Sequence, residues 1–467
     1  MPLLINGGRI VTATDDFTAD IYCENETISR IEPGIDAASL PKNTETIDAS
    51  GKLVFPGFID PHVHIHLPFM GTNAADDYES ASKAALAGGT TSVIEMICPG
   101  PDDEPAAALE EWRGHAEGKA AVDYTYHMAV VRFDALAQKQ LRRIAQDEGV
   151  ASFKVFLAYK GALDISDGDL FSLLGMAKEL GVIVTAHCEN AEAIDAMQKK
   201  LIAEGKTGPE WHEPSRPTIV EAEGVRKLTA FAELTGAHVY IVHTSCEEAV
   251  RAAVDARLRG VNAWIEAVAP HLTLDRSFAE KPDFEGAKFV MSPPLRERRH
   301  VDALWSALRS GEIATIGTDH APFSFKGQKD MGRPPSSDFT KIPNGVPSIQ
   351  ERVALVYTHG VVAGRIDLHT FVDACSTQAA RIFGMYPRKG TIAVGADADI
   401  VVWDPTWRGT LSKATSHSKV DYCAYEGWQV QGRASAVTVR GEVQARDGEF
   451  VGTIGRGRFL ARKPTHF

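Results

Sequence analysis

Pro56-Gly57-Phe58-Ile59-Asp60-Pro61-His62-Val63-His64 places two histidines one residue apart at the end of an apolar run that reads as a buried strand. Side chains at i and i+2 of a strand share a face, so Asp60, His62 and His64 point the same way. Two imidazoles aimed at one point suit a zinc-like ion. Taken alone, the pair is equally well explained by two hydrogen-bonded structural histidines. Later strand ends weigh against that explanation. Val182-Ile183-Val184 runs into Thr185-Ala186-His187, Val239-Tyr240-Ile241-Val242 ends on His243, and Ala314-Thr315-Ile316-Gly317 leads to Asp319 and His320.

Apolar strand-like runs alternate with helix-period segments through the middle of the chain, the order expected of a parallel α/β barrel. The strands read as Leu53 to His64, Thr90 to Met96, Tyr124 to Val131, Ala151 to Ala158, Val182 to Glu189, His238 to Ser245, Asn262 to Ala269 and Ala314 to Asp319. Helices are expected over Tyr78 to Ala87, Pro105 to Ala116, Asp169 to Leu180, Glu221 to Leu234 and Cys246 to Arg257. In such barrels the active site lies at the C-terminal strand ends, where the histidines and Asp319 fall. An open doubly wound sheet lacks the G-x-G-x-x-G turn after its first strand. Short β-type runs fill both chain ends: Leu3 to Val11, Ala19 to Cys23 and Ile28 to Ile31 early, Ile400 to Trp403, Ala436 to Arg440 and Glu449 to Val451 late. The fold class is therefore α/β, a TIM-like (β/α)8 barrel over residues 55–385, with a smaller β-sandwich from residues 1–54 and 386–467.

With 467 residues the chain buries a large core, and a formal net charge of -13 argues against nucleic acid or an anionic membrane as partner. Six scattered cysteines without a C-x-x-C fit a reducing compartment. The N-terminal residues lack a signal-peptide pattern and no run approaches the roughly 18 apolar residues of a membrane span. A cytoplasmic location is expected.

His62, His64, His187, His243 and Asp319 make five ligands, and two adjacent divalent ions need a negative bridge as well. Ser152-Phe153-Lys154-Val155-Phe156-Leu157-Ala158-Tyr159 supplies a lysine inside a barrel strand. Burying an unpaired ammonium costs roughly several kcal/mol. One reading pairs Lys154 with a buried carboxylate such as Asp319. The other has it desolvated, deprotonated and carboxylated by carbon dioxide into a bridging carbamate. The residues alone favour the ion pair.

Asp60-Pro61-His62-Val63-His64, Phe153-Lys154-Val155-Phe156-Leu157-Ala158-Tyr159, His187-Cys188-Glu189-Asn190, His243-Thr244-Ser245, Met291-Ser292-Pro293-Pro294-Leu295-Arg296 and Thr318-Asp319-His320-Ala321-Pro322 occur in this order. Together with the late Gly390-Thr391-Ile392 to Asp404-Pro405 stretch, they resemble the dihydropyrimidinase and hydantoinase family of cyclic amidohydrolases over nearly the whole chain. The resemblance implies two zinc ions, His62 and His64 on one, His187 and His243 on the other, with N6-carboxylated Lys154 bridging. It makes Asp319 a ligand of the first ion and the general base. A metal-bridging hydroxide then opens 5,6-dihydropyrimidines or 5-substituted hydantoins to N-carbamoyl amino acids, with the Tyr159 hydroxyl stabilising the oxyanion. Ser292 and Asn344 match the positions that orient substrate. Leu67, Phe69, Phe156 and Leu163 are the apolar candidates for side-chain selection, and a homo-oligomer, tetramer or dimer, is implied.

Dihydroorotase-like and allantoinase-like relatives typically place an arginine just after the H-x-H. Here His64-Ile65-His66-Leu67-Pro68-Phe69 offers no guanidinium for a substrate carboxylate, which favours an uncharged cyclic diamide. Allantoin or another cyclic amide or imide remains the alternative substrate. Glu266-Ala267-Val268-Ala269-Pro270-His271 departs from the family's usual Thr-Cys-Pro-Gln-Tyr type run. Cys188 and Cys246 read as small buried hydrophobes. A ligand-depleted non-enzymatic scaffold is opposed by the presence of all six ligand positions, and a mononuclear deaminase by Lys154.

Overall fold

The computed structural model describes residues 2–464. Eight parallel strands form the central sheet: β1 (Phe58–Val63), β2 (Thr90–Ile97), β3 (Asp123–Ala129), β4 (Ser152–Phe156), β5 (Ile183–His187), β6 (Val239–Ile241), β7 (Ala263–Val268) and β8 (Thr315–Gly317). Each pairs with its sequence neighbour, so the order around the barrel is the order in the chain. The ring is completed by Asp319 N donating to the His62 carbonyl at 2.9 Å and His64 N donating to the His320 carbonyl at 2.8 Å. The residues that close the barrel are thus neighbours of the candidate ligands or the ligands themselves.

All eight expected strands are present, with one redistribution. The run Leu53 to His64 is two strands, Leu53–Pro56 in the peripheral sheet and β1 in the barrel, separated by Gly57. A Cβ on Gly57 would sit 2.2 Å from Thr91 Oγ1, so only glycine lets the chain pass here. The five expected helices appear as Tyr78–Ala87, Pro105–Ala116, Asp167–Leu180, Thr218–Thr235 and Glu247–Leu258. Their caps explain the boundaries: Asp77 and Ser80 form a reciprocal capping box, Ser166 Oγ accepts from Asp169 N, and Gly181 takes the left-handed C-terminal position.

Both chain ends meet in a second sheet of nine strands. Leu53–Pro56 is its seam, parallel to Leu3–Val11 on one side and antiparallel to Ile400–Thr410 on the other. Ile5, Ile21, Val54, Ile400 and Val402 are among the residues of its own apolar core, separate from the barrel core. Asp16–Glu24, Thr27–Glu32 and Glu45–Asp48 from the N-terminal end and Gln429–Val439, Glu442–Arg446 and Glu449–Phe450 from the C-terminal end complete this sheet. No helix among the described residues is long and apolar enough to cross a membrane.

Candidate metal centre and active site

β1 delivers His62 to the barrel interior, and His64, the residue that follows β1, turns to the same point. Asp319 Oδ1 lies 3.2 Å from His62 Nε2 and 3.2 Å from His64 Nε2. Behind them, His62 Nδ1 and Glu266 Oε2 are 2.7 Å apart, and Glu266 also accepts from His243 N at 2.9 Å and Tyr240 OH at 2.9 Å. Glu266 therefore sets the His62 ring so that Nε2 faces inward. His187, at the end of β5, packs against His243 with ring centroids 4.5 Å apart, and His243 lies 5.3 Å from His62. His187 Nε2 is held by Glu189 Oε2 at 2.7 Å, and Arg216 Nη1 donates to the same oxygen at 2.6 Å. Burial raises Glu189, but Arg216 and His187 outweigh it and hold the carboxyl down to about 2.

The sequence expectation for Lys154 is resolved against an ion pair: among the described residues, no carboxylate lies within 4.0 Å of its Nζ. The side chain is 0% exposed and its nitrogen has no hydrogen-bond partner. Burial pushes the ammonium down to about 8. Burial also lowers His62, His187 and His243, the first and last well below the ordinary imidazole range, and Lys154 acts in the same direction on all three. His62 Nε2, His64 Nδ1 and His243 Nδ1 share the lysine's condition, buried without a hydrogen-bond partner. Three imidazoles kept neutral by burial, a carboxylate and an unpartnered buried amine are a donor set that fits a pair of zinc-type ions.

Three of the ten non-glycine residues with positive φ among the described residues lie at this site. Tyr159, His243 and Asp319 have φ of 65°, 40° and 51°, in the left-handed region that residues with a Cβ rarely occupy. For Asp319 the cost is offset by Thr318, whose Oγ1 donates to Asp60 Oδ2 at 2.7 Å, while Asp319 N bonds to β1. Asp60 thus fixes the end of β8 and does not join the ligand cluster. His320 turns away to Asp76 Oδ2 at 3.0 Å. Cys188 and Cys246 belong to the barrel's apolar core.

The pocket over this centre is lined by Leu67, Phe69, Phe156, Tyr159, Leu163, Ser292 and Asn344, all seven of the expected substrate-facing residues. It also contains Cys98 and Ala321. Asn344 Nδ2 donates to Ser292 Oγ at 2.9 Å. Burial lifts Tyr159 to about 12, so its hydroxyl keeps its proton. The Arg216 guanidinium stacks 5.5 Å over the Tyr159 ring, coupling the tyrosine to Glu189 and His187. Buried Lys329 donates to the Val290 and Pro343 carbonyls, both at 2.9 Å, and so clamps the segments carrying Ser292 and Asn344. The unusual run after β7 forms one helical turn, Ala269–Thr273, in which His271 Nε2 donates to the Pro293 carbonyl at 3.0 Å. Its imidazole supports the Ser292 turn from outside the pocket.

The amidohydrolase family model matches residues 53–443. A D-hydantoinase of Geobacillus stearothermophilus is 45% identical over 99% of this chain and 97% of its own length. The rat (Rattus norvegicus) dihydropyrimidinase is 38% identical over 99% of this chain and 89% of its own. The chain belongs to the hydantoinase and dihydropyrimidinase branch of the amidohydrolase family. Within that branch, the crystal structure of a D-hydantoinase (dihydropyrimidinase) from Thermus sp. superposes with a TM-score of 0.96 at 54% identity, covering 100% of both chains. An L-hydantoinase (dihydropyrimidinase) from Arthrobacter aurescens has the same architecture at 28% identity, with a TM-score of 0.88 over 98% of this chain and 99% of its own.

Glu266, Glu189, Arg216 and Lys329 are the site residues that sequence reasoning passed over. Two of them carried a signal: a glutamate inside the apolar runs of β7 and of the segment after β5 demands a buried partner. The partner's identity is a tertiary fact.

Proposed function

We propose that this protein opens the rings of uncharged cyclic diamides, 5-substituted hydantoins and 5,6-dihydropyrimidines, to N-carbamoyl amino acids by metal-assisted hydrolysis. The observation that carries the reading is the convergence of four imidazoles, Asp319 and an unpaired buried lysine beneath a pocket of apolar walls. His62 and His64 with Asp319 would hold one ion, His187 and His243 the other, and Lys154 both, as a carbamate formed by its neutral amine adding to carbon dioxide with loss of a proton. Bound there, the two ions supply Lewis acidity and a nucleophilic water near neutral pH.

The chain's own residues do the rest. Asp319 accepts the proton of the attacking water and delivers it to the ring nitrogen, which cannot leave as an anion. Tyr159, protonated and held by Arg216, donates to the amide oxygen as charge develops there. Ser292 and Asn344 orient the ring amide. Leu67, Phe69, Phe156 and Leu163 receive the substituent at the ring carbon. Glu266 and Glu189 fix the imidazoles behind them. The D-enantiomer is the preferred hydantoin, a reading supported by relatives named D-hydantoinase at 45%, 42% and 40% identity against 28% for the L-hydantoinase.

The proposed domains are residues 1–56, 57–385 and 386–467, the first boundary falling two residues later than the sequence expectation because Leu53–Pro56 pairs within the peripheral sheet. All six cysteines are free, five of them buried, in keeping with a cytoplasmic protein, and a homotetramer or dimer follows the family resemblance. The test is ring opening of both enantiomers of 5-phenylhydantoin, beside 5,6-dihydrouracil and allantoin, by protein prepared with zinc and bicarbonate. Turnover of D-5-phenylhydantoin or dihydrouracil supports the reading. Turnover of allantoin alone transfers it to the allantoinase alternative, and no turnover of any ring withdraws it.

A further inference from the structure

Outside the barrel mouth, His66, Glu111 and His115 bring one ligand atom each to within 4.8 Å of the others. Glu111 and His115 are one turn apart on the helix Pro105–Ala116, and His66 reaches them from the segment after β1. Glu111 Oε1 lies 3.9 Å from His66 Nε2 and 3.7 Å from His115 Nε2. The two imidazoles stack with centroids 3.6 Å apart, and Trp112 packs edge-on against both, at 5.4 and 6.5 Å. The His66 backbone is fixed from below, its N–H donating to buried Glu95 at 3.1 Å.

We propose that His66, Glu111 and His115 form a separate surface site for a borderline divalent cation of the zinc class. Two imidazoles and one carboxylate are a complete zinc set with the fourth position left to water. Zinc bonds of about 2.0–2.1 Å place tetrahedral ligands roughly 3.4 Å apart, so the two spacings from Glu111 Oε1 to the imidazoles, 3.9 and 3.7 Å, need to close by only a few tenths of an ångström. The single negative charge of Glu111 lies within 4.0 Å of the Nε2 atoms of both rings, where it favours a cation. The nearby Lys119 ammonium is turned to the Gly114 carbonyl at 3.1 Å. Exposure of Glu111 makes the site exchangeable, unlike the buried barrel centre. The consequence is local: His66 begins the segment that carries Leu67 and Phe69 into the pocket, so an ion here ties that wall to the helix.

The test compares wild-type holoenzyme with H115A and E111Q after dialysis against metal-free buffer, each titrated with zinc by calorimetry. The expected result is one more zinc equivalent per chain in wild type than in H115A, with affinity at least tenfold weaker in E111Q. Because the readout is a difference, it holds whatever number of ions the barrel carries. Zinc is also expected to raise the unfolding temperature of wild type more than that of H115A. Equal zinc uptake by wild type and H115A, or an equal temperature rise, overturns the proposal.

Discussion

Lys154, at the barrel mouth, is 0% exposed with no carboxylate in ion-pair range, whereas Lys389, between barrel and peripheral sheet, is 2% exposed inside a cage of three. Its ammonium lies 2.7 Å from Asp123, 2.6 Å from Asp399 and 3.0 Å from Asp397, and Arg440 bonds the far oxygen of Asp123. Burial opposes the charge at both sites. At Lys389 the three carboxylates outweigh it and the ammonium is held above the ordinary lysine range; at Lys154 nothing does, and the group falls to about 8. Lys329, bonded only to two carbonyls that carry no charge to oppose burial, falls further, to about 7. Burial therefore does not by itself make a lysine reactive or structural. The partners decide: an uncaged amine is a nucleophile and ligand precursor, a caged ammonium ties two domains together.

Exchanging those roles by mutation gives the sharpest contrasts. K154A is expected to lower ring-opening activity about a thousandfold or more, at least roughly 4 kcal/mol of barrier, with the folded state intact by circular dichroism. A variant retaining a tenth of wild-type turnover would break the comparison at its active side. K389M removes the cation shared by three carboxylates, leaving Asp399 with none while Asp123 keeps Arg440 and Asp397 keeps Arg388, and is expected to cost about 3–5 kcal/mol of stability in urea unfolding, with activity per folded molecule unchanged. Loss of activity without loss of stability would break it at its structural side.

A smaller effect is expected behind the metal centre. E266Q keeps the shape but weakens the acceptor of His62 Nδ1, and a drop of about 10–100-fold in metal affinity is predicted, measured by competition with a chelator.

The smallest effect concerns pH. Lys389 is raised in the folded state, so its contribution is present below the unfolded value of about 10.4 and is lost only as pH climbs through the folded one. Asp123 is lowered in the folded protein, burial being outweighed by Lys389 and Arg440; its contribution is present above about 3.9 and lost as pH falls through the folded value. Asp399 is raised, burial outweighing Lys389, so the acid edge lies above the ordinary carboxylate range, and the stability gap between wild type and K389M is expected to stay level from that edge to about pH 10 and to shrink outside that window. A gap that changes steadily between pH 6 and 9 would show that other groups control it.

The sequence disclosed the parts of this comparison unequally. Barrel strands were legible because strands buried on both faces are continuous apolar runs, and β2, Thr90–Ile97, is buried along its whole length. His62, His64, His187, His243 and Asp319 stood out because polar residues at the ends of such runs need a reason to be there. The state of Lys154 was not legible from its own neighbours: only the absence of a nearby carboxylate decides between ion pair and free amine, and absence is a property of the fold. The caged lysine was invisible for the same reason, since Lys389 and Asp123 are 266 residues apart, as Glu266 and His62 are 204 apart. The split of Leu53 to His64 between two sheets escaped because an apolar run does not say which core receives it. Gly57 was the only mark of the crossing. Short, polar Glu45–Asp48 gave no periodic signal at all.

The central claim is that uncaged Lys154 becomes the carbamate bridge of a two-ion centre. Protein prepared with zinc and carbon-13 bicarbonate should display one carbamate carbon resonance and hold two tightly bound zinc ions per chain beyond those that H115A lacks. Both the resonance and at least one of these ions should vanish in K154A. Wild-type protein that carries its ions and turns over substrate with no carbamate signal, or K154A that keeps both ions, would contradict it.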